Sequence, residues 1–213
     1  MKKSVYSLVL ADDVIKAVDC EAARTGTSRS NLINQILAAQ LSCVTPEMRM
    51  RDIFGSLSDL IGSSFKIQQQ TSASLMTIRT ALEYKYRPTI NYRVELDRSP
   101  DGFIGTLKVH IRTQNSNLIE MFNNFFLYRI SMENKQLKLL GYDGCSCTLT
   151  DGAFSRKLLN TGLDGRQTAQ AINCYLDNLN TSIQTYFADP SGLRAYSHRM
   201  EEQYRSTLEK YMI

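Results

Sequence analysis

Long apolar runs are missing from this sequence: no stretch approaches the ~18 uninterrupted apolar residues that a membrane-spanning helix needs. The opening Met1-Lys2-Lys3-Ser4-Val5-Tyr6-Ser7 lacks the apolar core and small-residue cleavage site of a signal peptide, so a cytoplasmic location and no membrane partner are expected. Proline is scarce, with four residues, while 43% of the 213 residues are hydrophobic, enough to bury a real core. One small domain plus one larger one is the natural division of such a length. The five cysteines, Cys20, Cys43, Cys145, Cys147 and Cys174, are an odd set without the regular spacing of a disulfide framework. They read as reduced thiols.

Motifs for chemistry are equally sparse. The two histidines, His110 and His198, have no partner in a recognisable motif, and a solvated side chain is the expected state of each. Gly102 and Gly105 have no Lys-Ser/Thr behind them, and no Ser/His/Asp or paired-carboxylate pattern is present. Cys145-Ser146-Cys147 is the one arrangement that tempts, because period-two spacing puts both thiols on one face of a strand. Buried structural cysteines and a soft-metal or redox pair both fit that spacing, although zinc needs two further ligands. No catalytic residue, no metal site and no cofactor is assigned, and nothing argues for an enzyme. Net charge is +4, which permits nucleic-acid binding without demanding it.

What is present begins at the N-terminus. Ser4 to Leu10 is short and rich in β-branched or aromatic residues, and it places Tyr6, Leu8 and Leu10 on one face, which predicts a strand. A helix then opens at Ala11 or Asp12, with Val14, Ile15, Val18 and Ala22 at helical spacing and Gly26 to close it. Thr27-Ser28-Arg29-Ser30 supplies N-cap side chains for a second helix carrying Leu32, Ile33, Ile36, Leu37 and Leu41. A strand and two short amphipathic helices in about 43 residues cannot bury their apolar faces alone. The segment needs a second copy.

Leu8-x-Leu10-x-x-x-Val14-Ile15, followed by Ala22-x-x-Thr25-Gly26-Thr27-Ser28-Arg29-Ser30-x-Leu32-Ile33, resembles the Arc-, MetJ- and CopG-type ribbon-helix-helix repressors. The resemblance covers about a fifth of the chain. It implies an intertwined homodimer in which two strands, one from each copy, pair antiparallel and enter the major groove of double-stranded DNA. With Tyr6, Leu8 and Leu10 buried, Lys3, Val5, Ser7 and Val9 would face the bases. Family members commonly carry Arg, Lys, Thr, Asn or Gln there; here Ser7 would supply hydrogen bonds and the valines apolar contact with thymine methyls. Lys2, Thr27, Ser28, Arg29 and Ser30 would contact phosphates, the last four at the start of the second helix. Family members that sense nickel have a histidine- and cysteine-rich second domain, a pattern this chain does not show.

Beyond residue 44, Thr45-Pro46-Glu47 predicts a helix start. Ile53, Phe54, Leu57, Leu60 and Ile61, then Leu75, Met76, Ile78 and Leu82, predict a helical linker region over 45–87, as one long helix or a broken pair. Residues 88–213 are expected to form an α+β domain for sensing or assembly, with an antiparallel sheet of about five strands and terminal helices. Its parts are a hairpin over 89–112, a helical stretch from Ser116 to Phe125, a second hairpin from Tyr128 to Leu139 turning at Glu133-Asn134-Lys135, and a strand at Cys145 to Leu149. A capping box at Asp164 and Gln167 opens a helix whose Ala169, Ile172, Leu176, Leu179, Ile183 and Tyr186 form a seam for packing within the chain or for dimerisation. Asp189-Pro190-Ser191 breaks it, and a last helix follows.

The fold class expected is therefore α+β, and the function implied by the resemblance is a homodimeric, sequence-specific transcriptional repressor or regulator of bacterial, plasmid or phage type. Its partners would be double-stranded DNA, a second copy of itself and, at the C-terminal domain, a protein or small ligand. A plasmid conjugation or partition accessory protein and an antitoxin are alternatives within the family. A dimeric interaction scaffold is the alternative that involves no DNA.

Overall fold

The structure, a computed structural model, describes residues 5–68 and 72–213 and divides into two units, Met1–Arg49 and Met50–Ile213. In the first, α1 (Asp12–Arg24) starts from an extended Ala11, with Asp12 and Asp13 against the positive end of the helix dipole. Its other end is a glycine-closed turn. Gly26 takes φ +63°, its N–H donates to the Ala23 carbonyl at 3.3 Å, and the Thr27 N–H reaches back to Ala22 at 3.0 Å, the Schellman pattern expected of a glycine there. Ser28 then caps α2 (Arg29–Gln40) by accepting from the Asn31 N–H at 3.3 Å. The end of α2 repeats the same turn with a serine: Ser42 sits at φ +52° while the Cys43 N–H donates to Ala38 at 2.8 Å.

Residues 5–10, expected as a strand, pair with nothing in this single chain, and the strand order contains no ribbon.

The second unit is α+β. Helix α3 (Pro46–Leu60) begins where Thr45 Oγ1 accepts the Met48 N–H at 3.1 Å, and it sends Met50, Ile53, Phe54 and Leu57 into the larger core. Six antiparallel strands follow: β1 (Lys66–Ile67), β2 (Leu75–Ala81), β3 (Thr89–Asp101), β4 (Phe103–Arg112), β5 (Cys147–Thr150) and β6 (Ala153–Leu159), in the order β1-β2-β3-β4-β6-β5. Along them burial alternates, so that Met76 and Ile78, Ile90, Tyr92 and Val94, Leu107, Val109 and Ile111, and Phe154 and Leu158 point to one side. That side meets α4 (Ser116–Leu139), α5 (Gly165–Ala188) and α6 (Leu193–Lys210) in one core. Phe126 of α4 stacks on Phe154 of β6 at 4.2 Å between ring centres, and the Tyr92 hydroxyl of β3 donates to Asn180 of α5 at 3.1 Å. Between Phe103 and Gly105 the β4–β6 register shifts, and a Cβ at Gly105 would collide with the Glu95 carbonyl oxygen.

The structure corrects several expectations. The stretch 45–87 is not a helical linker: helix covers only Pro46–Leu60, and β1 and β2 join the sheet. Leu75, Met76, Ile78 and Leu82 fit a helical stripe, but Met76, Ile78 and Thr80 are the buried positions, a period of two. The second hairpin is instead the latter half of α4. Its buried set, Phe122, Phe125, Phe126, Arg129, Met132, Glu133, Gln136 and Leu137, steps by three and four, and Glu133-Asn134-Lys135 lies inside the helix. The strand expected from Cys145 begins at Cys147, and the sheet has six strands where about five were expected. The hairpin over 89–112 forms as expected, as does the Asp164–Gln167 capping box. The α5 seam is buried in the chain's own core, which settles its use as internal packing. Among the described residues no helix is long and apolar enough to cross a membrane.

Candidate nucleic-acid interface

Of the residues expected to face bases, Val5, Ser7 and Val9 are exposed, the valines completely, and Lys3 lies outside the described residues together with Lys2. The opposite face of the same segment is also open: Tyr6 is 86% exposed and Leu8 51%, although both are apolar in bulk. Only Val18, Ala22 and Leu32 are buried together between α1 and α2, with Ile33 against them. Beside them Val14, Ala17, Val18, Leu32 and Ile36 line an apolar groove of about 460 Å³. Ile36 and Leu37 of α2, and Leu41 at its C-terminal cap, remain exposed.

The expected phosphate contacts gather at the start of α2, where first-turn N–H groups of a helix lack intrahelical acceptors. Thr27 is half-buried, and Ser28, Arg29 and Ser30 are exposed. Two of them already have work. Ser28 holds the cap, although its hydroxyl proton is still free to be donated. The Arg29 guanidinium is engaged in a two-bond fork with Asp19 of α1, both N–H···O distances being 2.6 Å, and this pair spans the two helices. Sequence spacing did not reveal that tie, because residues ten apart meet only through the turn at Gly26. Arg29 can therefore fix the angle of α2, and any phosphate contact must compete with Asp19.

In the larger unit a buried polar cluster joins four elements. Glu133 of α4 accepts from Arg129 Nε at 2.5 Å and from Arg156 Nε of β6 at 2.8 Å. It also accepts from the hydroxyls of Tyr175 of α5 at 2.7 Å and Tyr204 of α6 at 3.1 Å. Arg129 continues to Asn178 at 2.9 Å, and Arg156 to the main-chain oxygen of Ile213 at 2.6 Å. Each guanidinium also faces a ring: Arg129 lies 4.6 Å from the centre of Tyr204, and Arg156 4.5 Å from that of Tyr175. Burial opposes ionisation of Glu133, but the charges of Arg129 and Arg156 outweigh it and hold the carboxyl below its usual range. Burial and the Glu133 charge push both phenols up. With Arg129, Glu133, Arg156, Tyr175 and Tyr204 all fully or nearly inaccessible, the cluster is suited to locking helices onto the sheet rather than to exchanging protons with a substrate.

Cys145 and Cys147 are half-buried with their sulfurs 2.7 Å apart, Cys147 donating. That hydrogen bond pulls the Cys145 thiol down and pushes Cys147 up. Among the described residues no group of three or more His, Cys, Asp or Glu side chains is placed to hold a metal ion. His110 lies on the uncovered face of β4, and His198 is exposed on α6. In comparisons with known proteins no family model matches the chain, nor does any curated protein or solved structure.

Proposed function

We propose that the chain is a homodimeric DNA-binding regulator whose first ~44 residues complete a ribbon-helix-helix unit only with a second copy. The observation that carries this reading is the mismatch in the first unit between apolar content and burial. Tyr6, Leu8, Val14, Ile36, Leu37 and Leu41 are all exposed, while Val18, Ala22 and Leu32 are the buried apolar cluster. A cluster of that size does not stabilise two helices against the conformational entropy of ordering them. A second copy covers these residues in the proposed dimer, and pairing of the two 4–10 segments supplies the ribbon. The two-helix turn built from Gly26 and Ser28 supports the same reading.

In the proposed complex Ser7 carries the hydrogen-bonding readout, and Val5 and Val9 contact thymine methyls. Thr27, Ser28 and Ser30 meet a phosphate at the start of α2, and Arg29 holds Asp19 until a phosphate draws it away. DNA as ligand implies residence in the cytoplasm. Repression is the specific outcome favoured, and the folded unit Met50–Ile213 serves sensing or assembly. That unit counts against an antitoxin, whose neutralising segment is commonly short and disordered.

The test is selection of duplexes from a randomised pool by the full chain at low salt. Enrichment of pseudo-palindromic sites is expected, because operator symmetry mirrors that of the dimer. Absence of enrichment, together with unaltered DNA retention after Ser7→Ala and Arg29→Ala, would overturn the proposal and leave a dimeric scaffold.

A further inference from the structure

The six-stranded sheet has one covered and one open face, and register arranges the open one in rows. Lys66 pairs with Arg79, Arg79 with Asn91, and Asn91 with His110 across β1 to β4. In the adjacent row Thr77 pairs with Arg93, Arg93 with Lys108, and Lys108 with Ser155. Lys157 opposes Thr106, and Arg112 opposes Thr89. At these paired outward positions six cations, Lys66, Arg79, Arg93, Lys108, Arg112 and Lys157, meet two carboxylates, Glu95 and, opposite Phe103, Asp101.

Two features have a cost that an anion would relieve. Arg93 and Lys108 stand directly opposite each other, an arrangement that destabilises a strand pair. Glu95 bridges to both, at 2.8 Å each, and still leaves the trio with a positive charge. Next to them Arg79 Nε is buried with no hydrogen-bond partner among the described residues, a donor waiting for an acceptor. Between the rows lies a concavity of about 550 Å³ lined by Arg79, Arg93, Lys108 and His110 together with the hydroxyls of Thr148 and Ser155. Faces that bind single strands stack bases on aromatic rings. Among the described residues the paired outward positions hold one aromatic ring, Phe103 at the start of β4, and the Lys157 ammonium already sits 5.3 Å from its centre.

We propose that this open sheet face is a second, sequence-independent surface for double-stranded DNA, holding backbone phosphates on Arg79, Arg93 and Lys108. The choice of DNA as the polyanion rests on the function proposed above.

The test is fluorescence anisotropy of the full chain with a random-sequence duplex of about 30 base pairs between about 50 and 200 mM NaCl, a range over which phosphate contacts dominate. Arg93→Gln combined with Lys108→Gln is expected to weaken binding about tenfold and to flatten the logarithmic salt slope by about 2. Glu95→Gln removes the carboxylate that bridges Arg93 and Lys108 and is expected to tighten binding about threefold, a gain that misfolding cannot produce. Unchanged affinity and slope in these variants overturn the proposal. Tighter binding of a single strand of the same length, lost in the sheet variants, also overturns it. If the unaltered chain binds no duplex at about 50 mM NaCl, the DNA-binding function fails with it. If Ser7→Ala with Ser30→Ala abolishes binding and the sheet variants do not, the sheet proposal alone fails. The reverse pattern leaves the sheet face standing and removes the ribbon.

Discussion

The two units handle their apolar residues in opposite ways. In Met50–Ile213 the stripes of α3, α4, α5 and α6 and the inward positions of the sheet merge into one core, and even the charged Arg129, Glu133 and Arg156 are sealed inside it. In Met1–Arg49 both helices end in backbone-closed turns and Ser28 caps the start of α2, yet Leu8, Ile36, Leu37 and Leu41 stay exposed. Good local signals make helices, but only partners for the apolar faces make a core. The larger unit finds them within its own chain, and in the proposed dimer a second copy supplies them to the smaller one.

The comparison breaks most visibly if the larger unit is struck at its buried charges. Glu133→Gln leaves two buried guanidiniums without their counter-charge and is expected to cost roughly 3–5 kcal/mol, read as a lowered urea midpoint by circular dichroism. The same carboxylate sets an acid limit. Its folded-state pKa is depressed, so its contribution is fully present above the unfolded value of about 4.3 and is lost as pH falls through the folded value. Urea midpoints are therefore expected to fall in acid for the unaltered chain and to fall less for Glu133→Gln.

In the smaller unit the expected effect is on assembly. Ile36→Asp puts a charge on the exposed α2 stripe and is expected to raise the dimer dissociation constant about 100-fold or more while the melting of the larger unit stays unchanged. Sedimentation at several concentrations reads the first quantity and thermal circular dichroism the second. Ser28→Ala removes the α2 cap at a cost of about 1 kcal/mol, visible as faster amide exchange over residues 29–40. The smallest change goes the other way: Ser42→Gly relieves a left-handed serine and is expected to slow exchange at the end of α2, a gain of roughly 0.5–1 kcal/mol.

Local chemistry was the legible part. Gly26, Ser28, Thr45 and the Asp164–Gln167 box mark helix ends, and they do so by hydrogen bonds within a few residues of each other. The hairpin of β3 and β4 showed itself through strict alternation on both sides of one turn. The latter half of α4 was hidden for two reasons. Tyr128, Ile130 and Met132 alternate like a strand, and the buried face of the helix includes Arg129, Glu133 and Gln136, which an apolar-period reading discards. β2 was hidden because Leu75, Met76, Ile78 and Leu82 satisfy both periods, and only packing in the sheet decides between them. At the candidate site Val5, Ser7 and Val9 are exposed together with Tyr6 and Leu8, so exposure does not separate the two expected faces, and the Arg29–Asp19 pair was not legible. The basic face was half legible. Asn91-x-Arg93 and Lys108-x-His110-x-Arg112 could be read on the wet side of the hairpin, but Arg79 and Lys157 join them only through strand order.

Light scattering of the full chain, alone and with a duplex enriched from a randomised pool, tests the dimeric DNA-binding function most directly. A mass of twice 24.2 kDa without DNA, and two chains on one duplex at low salt, are the expected results. A particle of 24.2 kDa at micromolar concentration that retains no duplex would contradict it.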